Sequence, residues 1–170
     1  MALALRCFSQ MRTILLIFVF VIGCSKNSFY VMPDDLKYME PAIEAGQIVS
    51  IKKFTARNNQ FDIKRFDIVA INNLPNLEGE HILRILGLPG ENIQFRDSGF
   101  FINDKELIIP HDLSYLNQRL KDAKVPMNKS INIPTDEFFL IGDNIDIAYD
   151  SRYFGPISFE KITGIVYAKL

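Results

Sequence analysis

The sequence predicts a mainly β, single-domain fold behind an N-terminal export signal. Three observations carry this. Short apolar runs recur with Gly, Pro, Asn and Asp between them, the apolar material leans on Phe, Tyr, Ile and Val, and helical periodicity is almost absent. With 170 residues, 48% of them hydrophobic, the chain is long enough for one core of ordinary size.

Residues 1–23 read as an address rather than as part of the fold. Arg6 and Arg12 precede the apolar run ILLIFVFVIG at 14–23, which is shorter than the roughly 20 apolar residues of a membrane span. The run ends Val21-Ile22-Gly23-Cys24, which resembles a bacterial lipobox. Cys24 is therefore the expected lipid-attachment site, and Met11 offers a more compact start. An uncleaved membrane anchor and a chance cysteine after an ordinary signal are the alternatives. The expected location is the bacterial cell envelope, anchored to the membrane with the domain on the non-cytoplasmic side.

Residues 24–37 hold a short tether, SKNS, and a first strand around FYVM, broken by Pro33-Asp34-Asp35. The domain proper is expected over 38–170. QIVSIKKF at 47–54 alternates at period two and predicts a strand. RFDIVAI at 65–71 predicts another, closed by Asn72-Asn73 and Pro75. Residues 81–86 and 91–95 flank a Gly-Leu-Pro-Gly turn at 87–90. Asp97-Ser98-Gly99 leads into FFIN, and Asn103-Asp104 into ELII. Residues 111–133 are polar and unpatterned, an insertion with one helical turn at most. FFLI at 138–141 and GIVYAKL at 164–170 complete the strand set around the loop Ile141–Gly155.

Several function classes drop out on composition. A net charge of −1 without a basic run gives no support to nucleic-acid binding. The two cysteines, Cys7 and Cys24, fall in the first 24 residues, far from His81 and His111, so neither a metal-ligand spacing nor a Cys-His nucleophile pair can be assembled. No metal or cofactor is expected. Attention moves to Ile141–Gly155, IGDNIDIAYDSRYFG, where Asp143, Asp146, Asp150 and Arg152 stand in apolar surroundings and must be paired or solvated.

Four segments, in order, resemble the signature boxes of the type I signal peptidases, membrane-bound Ser/Lys proteases that remove signal peptides from exported proteins. YMEPAIEAGQIVSIKK is similar to the box that begins Ser-Met-x-Pro, and RFDIVAI to the Arg-Gly-Asp-Ile-Val strand. LRILGLPGENI resembles Lys-Arg-Val-x-Gly-Leu-Pro-Gly-Asp-x-Ile, and GDNIDIAYDSRYFGPI resembles Gly-Asp-Asn-x-x-x-Ser-x-Asp-Ser-Arg-x-x-Gly-x-Val. The resemblance covers about residues 38–166. It implies coiled antiparallel sheets of the LexA/signal peptidase type. It also implies a Ser nucleophile, a neutral Lys base held in a desolvated site, and a second Ser that orients the Lys.

The residues at those positions carry no such chemistry. Tyr38 stands at the nucleophile position, Leu83 at the base position and Ala148 at the Lys-orienting position. A phenol, whose ordinary pKa is about 10, is a poor acyl-transfer nucleophile without a base, and Leu cannot move a proton. His81 shares a strand face with Leu83 and is the one candidate for a substitute base. Arg84, Asp143, Asp150 and Arg152 match the ionic cluster that ties the family's base-bearing strand to the final loop. The resemblance therefore implies a signal-peptidase-like lipoprotein without proteolytic activity, a peptide-binding or assembly protein at the membrane. Its expected partners are the membrane and exported proteins or extended peptides. An active signal peptidase with a non-standard site and a structural envelope lipoprotein are the rival readings.

Overall fold

The computed structural model describes residues 27–34, 36–55, 62–96, 99–122 and 130–170. The expected signal, Met11 and Cys24 lie outside the described residues. Eleven strands follow in chain order: β1 (Asn27–Val31), β2 (Ile48–Lys53), β3 (Ile68–Leu74), β4 (Leu77–Gly87), β5 (Asn92–Arg96), β6 (Gly99–Ile102), β7 (Lys105–Glu106), β8 (Ser130–Asn132), β9 (Glu137–Ile141), β10 (Ile157–Ser158) and β11 (Ile162–Lys169). Two helices interrupt them, α1 (Ser114–Asp122) and the short α2 (Ser151–Phe154). The mainly β expectation holds.

The strands form a seven-stranded sheet, ordered β1-β2-β11-β3-β4-β9-β10, and a four-stranded sheet, ordered β7-β6-β5-β8. Every strand pair is antiparallel. Register shifts at Ile162/Gly164, Val166/Ala168, Asn72/Leu74 and Ile85/Gly87 bend the large sheet, as an extra residue in one strand of a pair does.

β9 explains how two sheets share one body. Its sequence, EFFLI, is apolar on both faces. Phe138 and Leu140 enter a first core with Val49, Ile51, Val69, Ile71, Ile82 and Leu83, while Phe139 and Ile141 enter a second with Leu86, Ile93, Phe95 and Leu116. The period of two makes β9 the wall between them. β4 makes the same switch, sending Ile85 to the first core and Leu86 to the second. Gly87 and Gly90 then carry the chain from one sheet to the other. A side chain at Gly87 would strike Ile133 and Phe139, and Gly90 has φ +79°, where an L side chain is strained.

Three elements depart from the sequence reading. The second strand of the expected pair runs Ile68–Leu74 rather than 65–71, because Asn73 and Asn76 adopt positive φ and let β3 and β4 continue into a tight hairpin. Of ELII only Glu106 joins the sheet, in the two-residue strand Lys105–Glu106, and Ile108 beyond it is 87% exposed. The polar insertion contains a nine-residue helix rather than a single turn. Leu116 is its fully buried anchor.

Candidate functional site

The three positions matched to family catalytic residues come from distant parts of the chain and converge. Leu83 sits in mid β4, opposite Val69 of β3, and is 1% exposed in the first core. Tyr38 lies on the loop after β1 and packs against the same core. Two contacts hold it there. Its hydroxyl accepts a hydrogen bond from the Ile82 amide at 3.5 Å, next to Leu83, and its carbonyl accepts from the Asn144 amide at 2.9 Å. Ala148 is buried, and its methyl group and the Tyr38 carbonyl press on Gly142, where a Cβ would lie 2.4 Å and 2.6 Å from them. Gly142 is thus required by close approach, and it is the contact that joins Tyr38 to the Ala148 loop.

None of the three supplies proton-transfer chemistry. Burial, followed by the neighbouring Tyr30 phenol, pushes the Tyr38 pKa above its ordinary value, further from a nucleophile at neutral pH. His81 is buried at the edge of this region, and its Nε2 lies 3.1 Å from the Glu78 carbonyl of its own strand. The buried hydroxyls of Ser28 and Ser50 have no hydrogen-bond partner, so neither is paired with His81. A nucleophile–base pair built on His81 is not formed among the described residues.

The charged residues that match the family's cluster sit as two bidentate pairs. Arg84 donates to Asp143 through Nε to Oδ1 at 2.7 Å and through Nη2 to Oδ2 at 2.6 Å. Its Nη1 donates to the Phe66 carbonyl at 2.8 Å. Burial alone would lower the Arg84 pKa, but the hydrogen bonds and charge of Asp143 outweigh it and hold the guanidinium above its usual value. The second pair is local. Arg152 donates to Asp150 through Nε at 2.8 Å, Nη2 at 2.9 Å and its backbone amide at 3.1 Å. Asp150 also accepts from the Gly142 amide at 3.0 Å, so the pairs are joined through consecutive residues, Gly142 and Asp143. Both aspartates have no exposed surface.

Tyr115 is a site residue that the sequence did not reveal. From α1 it donates to Asp143 Oδ2 at 2.6 Å, and burial together with that carboxylate raises its pKa. Arg119, one helical turn further, donates to the Glu40 carbonyl at 3.4 Å. Helix α1 therefore ties the Arg84–Asp143 pair to the Tyr38 loop. Beside that loop lies a cleft of about 460 Å³ lined by Asp34, Lys37, Glu40, Glu44 and Arg119. Among the described residues no three His, Cys, Asp or Glu side chains gather as metal ligands would. Nor is any helix among them long and apolar enough to cross a membrane.

Comparison with known proteins gives this geometry a lineage. The family model for "Signal peptidase, peptidase S26" matches residues 7–170. Signal peptidase I V of Bacillus subtilis (strain 168) is 31% identical over 138 residues, covering 75% of this chain and 77% of its own length. Signal peptidase IB of Staphylococcus aureus (strain Mu50) is 25% identical over 166 residues, 88% of this chain and 81% of its own. The crystal structure of a signal peptidase I from Enterococcus faecalis V583 superposes with a TM-score of 0.51 at 25% identity, over 62% of this chain and 97% of that one. The match along almost the whole chain and the shared fold place this protein in the type I signal peptidase family.

Proposed function

We propose that this family member is a lipid-anchored protein without proteolytic activity, which binds extended peptides or assembles with exported proteins at the membrane. One observation carries the reading: Tyr38, Leu83 and Ala148 converge in the fold, and none of them bears a group fit for its family role. A Ser/Lys protease needs a hydroxyl nucleophile and a neutral amine at hydrogen-bond distance. Here the first is a partly buried phenol with a raised pKa and the second a hydrocarbon. The surroundings are consistent with one another. Leu83 needs no polar partner, so an Ala at 148 strands no hydrogen-bonding group. The peptide-binding part rests on the β-rich body, which suits the addition of an extended segment as a further strand. Anchoring rests on Cys24 at the end of the apolar run 14–23.

The test is incubation of the full-length protein, in detergent or in vesicles, with a purified exported precursor. The precursor should stay intact, and a serine-acylating fluorophosphonate should label no residue. Specific cleavage that disappears in His81→Ala would overturn the inactive reading. Metabolic labelling with a radioactive fatty acid tests the anchor, with label expected on the parent and absent from Cys24→Ser.

A further inference from the structure

The edges of the two sheets are not finished alike. β10, at one end of the large sheet, and β7, in the small sheet, are two residues long, and β8 has three. β7 is built of Lys105 and Glu106, so charge or shortness keeps each of those edges from pairing further. β1 is the exception. Its five residues, NSFYV, contain neither a charge nor a proline, and among the described residues no strand lies on its outer side.

The backbone of β1 fixes which groups face outward. Met32, just past the strand, donates to the Gln47 carbonyl and accepts from the Gly46 amide, both at 2.9 Å, so it points toward β2. Backbone direction alternates along a strand, so Tyr30 and Ser28 also point toward β2, whereas Val31 and Phe29 point away from it. The Phe29 and Val31 side chains stand on the outer face of the sheet, 65% and 57% exposed. Ile48, opposite Val31, and Tyr167, whose hydroxyl accepts a hydrogen bond from the Asn27 side chain, widen this exposed apolar patch.

We propose that β1 pairs antiparallel with β1 of a second copy of this chain, about a two-fold axis at Phe29, so that two seven-stranded sheets join into one. The strand is its own complement. An axis normal to the sheet sets the Phe29 amide and carbonyl against those of the second Phe29, and Val31 against Asn27 of the second copy. No like charges meet across the axis, and both apolar patches stay on one side of the joined sheet. Only Cys24, Ser25 and Lys26 separate β1 from the apolar run 14–23. Copies held on one bilayer by that run meet with these edges close to its surface, at the high effective concentration that so small a contact needs. The pairing is independent of whether the protein binds or cuts peptides.

The full chain, reconstituted into phosphatidylcholine vesicles, gives two tests. The first is oxidative cross-linking with copper phenanthroline, with the parent as background because it retains Cys7 and Cys24. Phe29→Cys should cross-link about tenfold faster than Val31→Cys. Residues facing each other across the pair lie about 5.5 Å apart, whereas Val31 stands out of register with its own mate and beyond disulfide reach. Mixed Val31→Cys and Asn27→Cys chains should cross-link to each other. Equal rates at 29 and 31, or a rate at 29 no higher than the parent's, overturn the proposal. The second test is energy transfer between donor-labelled and acceptor-labelled chains. Phe29→Lys, at a position exposed in the single chain, sets two ammonium groups face to face and should abolish transfer. Mixing it with Phe29→Glu should restore transfer. Transfer that persists in Phe29→Lys overturns the pairing. So does a parent without transfer, which would assign the patch to the lipid surface instead.

Discussion

Replacing Arg84 by Leu should be among the most damaging single changes in this domain, and the structure sets its scale. Asp143 is fully buried and accepts three hydrogen bonds, two from Arg84 and one from Tyr115. Arg84→Leu removes two of the three and leaves a carboxylate in the core with a phenol alone. Breaking a buried pair on one side costs about 3–5 kcal/mol. For a domain of this size each kcal/mol lowers the melting temperature by about 2–4 °C, so a fall of roughly 6–20 °C is expected. Asp143→Leu should be comparable, because it strands the Arg84 guanidinium beside the Phe66 carbonyl. The double replacement Arg84→Leu/Asp143→Leu is the decisive variant. It removes both charges at once, and apolar replacement of a whole buried pair is often close to neutral. It should therefore be more stable than either single variant, a large favourable coupling by double-mutant cycle. The chain has no tryptophan, so far-UV circular dichroism in urea follows unfolding. An Arg84→Leu variant melting within about 2 °C of the parent refutes the reasoning. So does a double variant whose loss equals the sum of the singles.

Arg152→Ala should cost less, about 2–3 kcal/mol in the same assay, since Asp150 keeps the backbone amides of Gly142 and residue 152 as donors; a loss as large as that of Arg84→Leu would contradict this ranking. Tyr30, Tyr38 and Tyr115 all have raised pKa values. A folded value above the unfolded value of about 10 means that their contribution is complete below pH 10 and is lost as pH rises through the folded values. Melting temperatures taken at rising alkaline pH should fall, less steeply in Tyr38→Phe and Tyr115→Phe; a parent with flat alkaline stability would show that these phenols titrate normally. The combined variant Tyr38→Ser/Leu83→Lys/Ala148→Ser should cleave an exported precursor above the parent's background, because a Lys placed where Leu83 is 1% exposed would be held neutral by desolvation. Absence of cleavage from a folded triple variant would mean that the cleft geometry has drifted with the chemistry.

Sequence reading recovered what depends on local pattern. QIVSIKKF, RFDIVAI and FFLI became β2, β3 and β9 because alternation and continuous apolar runs are properties of a few adjacent residues. The positions of Tyr38, Leu83 and Ala148 were legible as well, through matches to family boxes. Pairings were not. The family resemblance presented Arg84, Asp143, Asp150 and Arg152 as one charged set, whereas the fold sorts them into Arg84–Asp143 and Asp150–Arg152. Partner choice depends on where β4 passes the loop after β9, a relation 59 residues apart in sequence. Helix α1 was missed for a related reason. SYLNQRLKD buries Leu116 completely, and docking comes from Tyr115 reaching Asp143 and Arg119 reaching Glu40. No window along the polar insertion contains that information.

The proposed absence of proteolytic chemistry fits the energetics of the site. A base of the Ser/Lys type works because burial makes its charged form costly, and the same burial is paid in stability. Residue 83 lies in the first core among Val69, Ile82 and Ile85. There a hydrocarbon gains from burial, on the order of 1.5–3 kcal/mol for a Leu side chain, while an amine needs a partner such as a hydroxyl at 148. Leu83 and Ala148 therefore form a self-consistent apolar pair of choices, each removing the need for the other's polar group. Tyr38 completes the arrangement by placing a ring against the core and its oxygen on the Ile82 amide. The pairs that shape the loop, Arg84–Asp143 and Asp150–Arg152, do not touch residues 38 or 83 through their side chains. The residues found at 38, 83 and 148 are therefore compatible with an intact clamp.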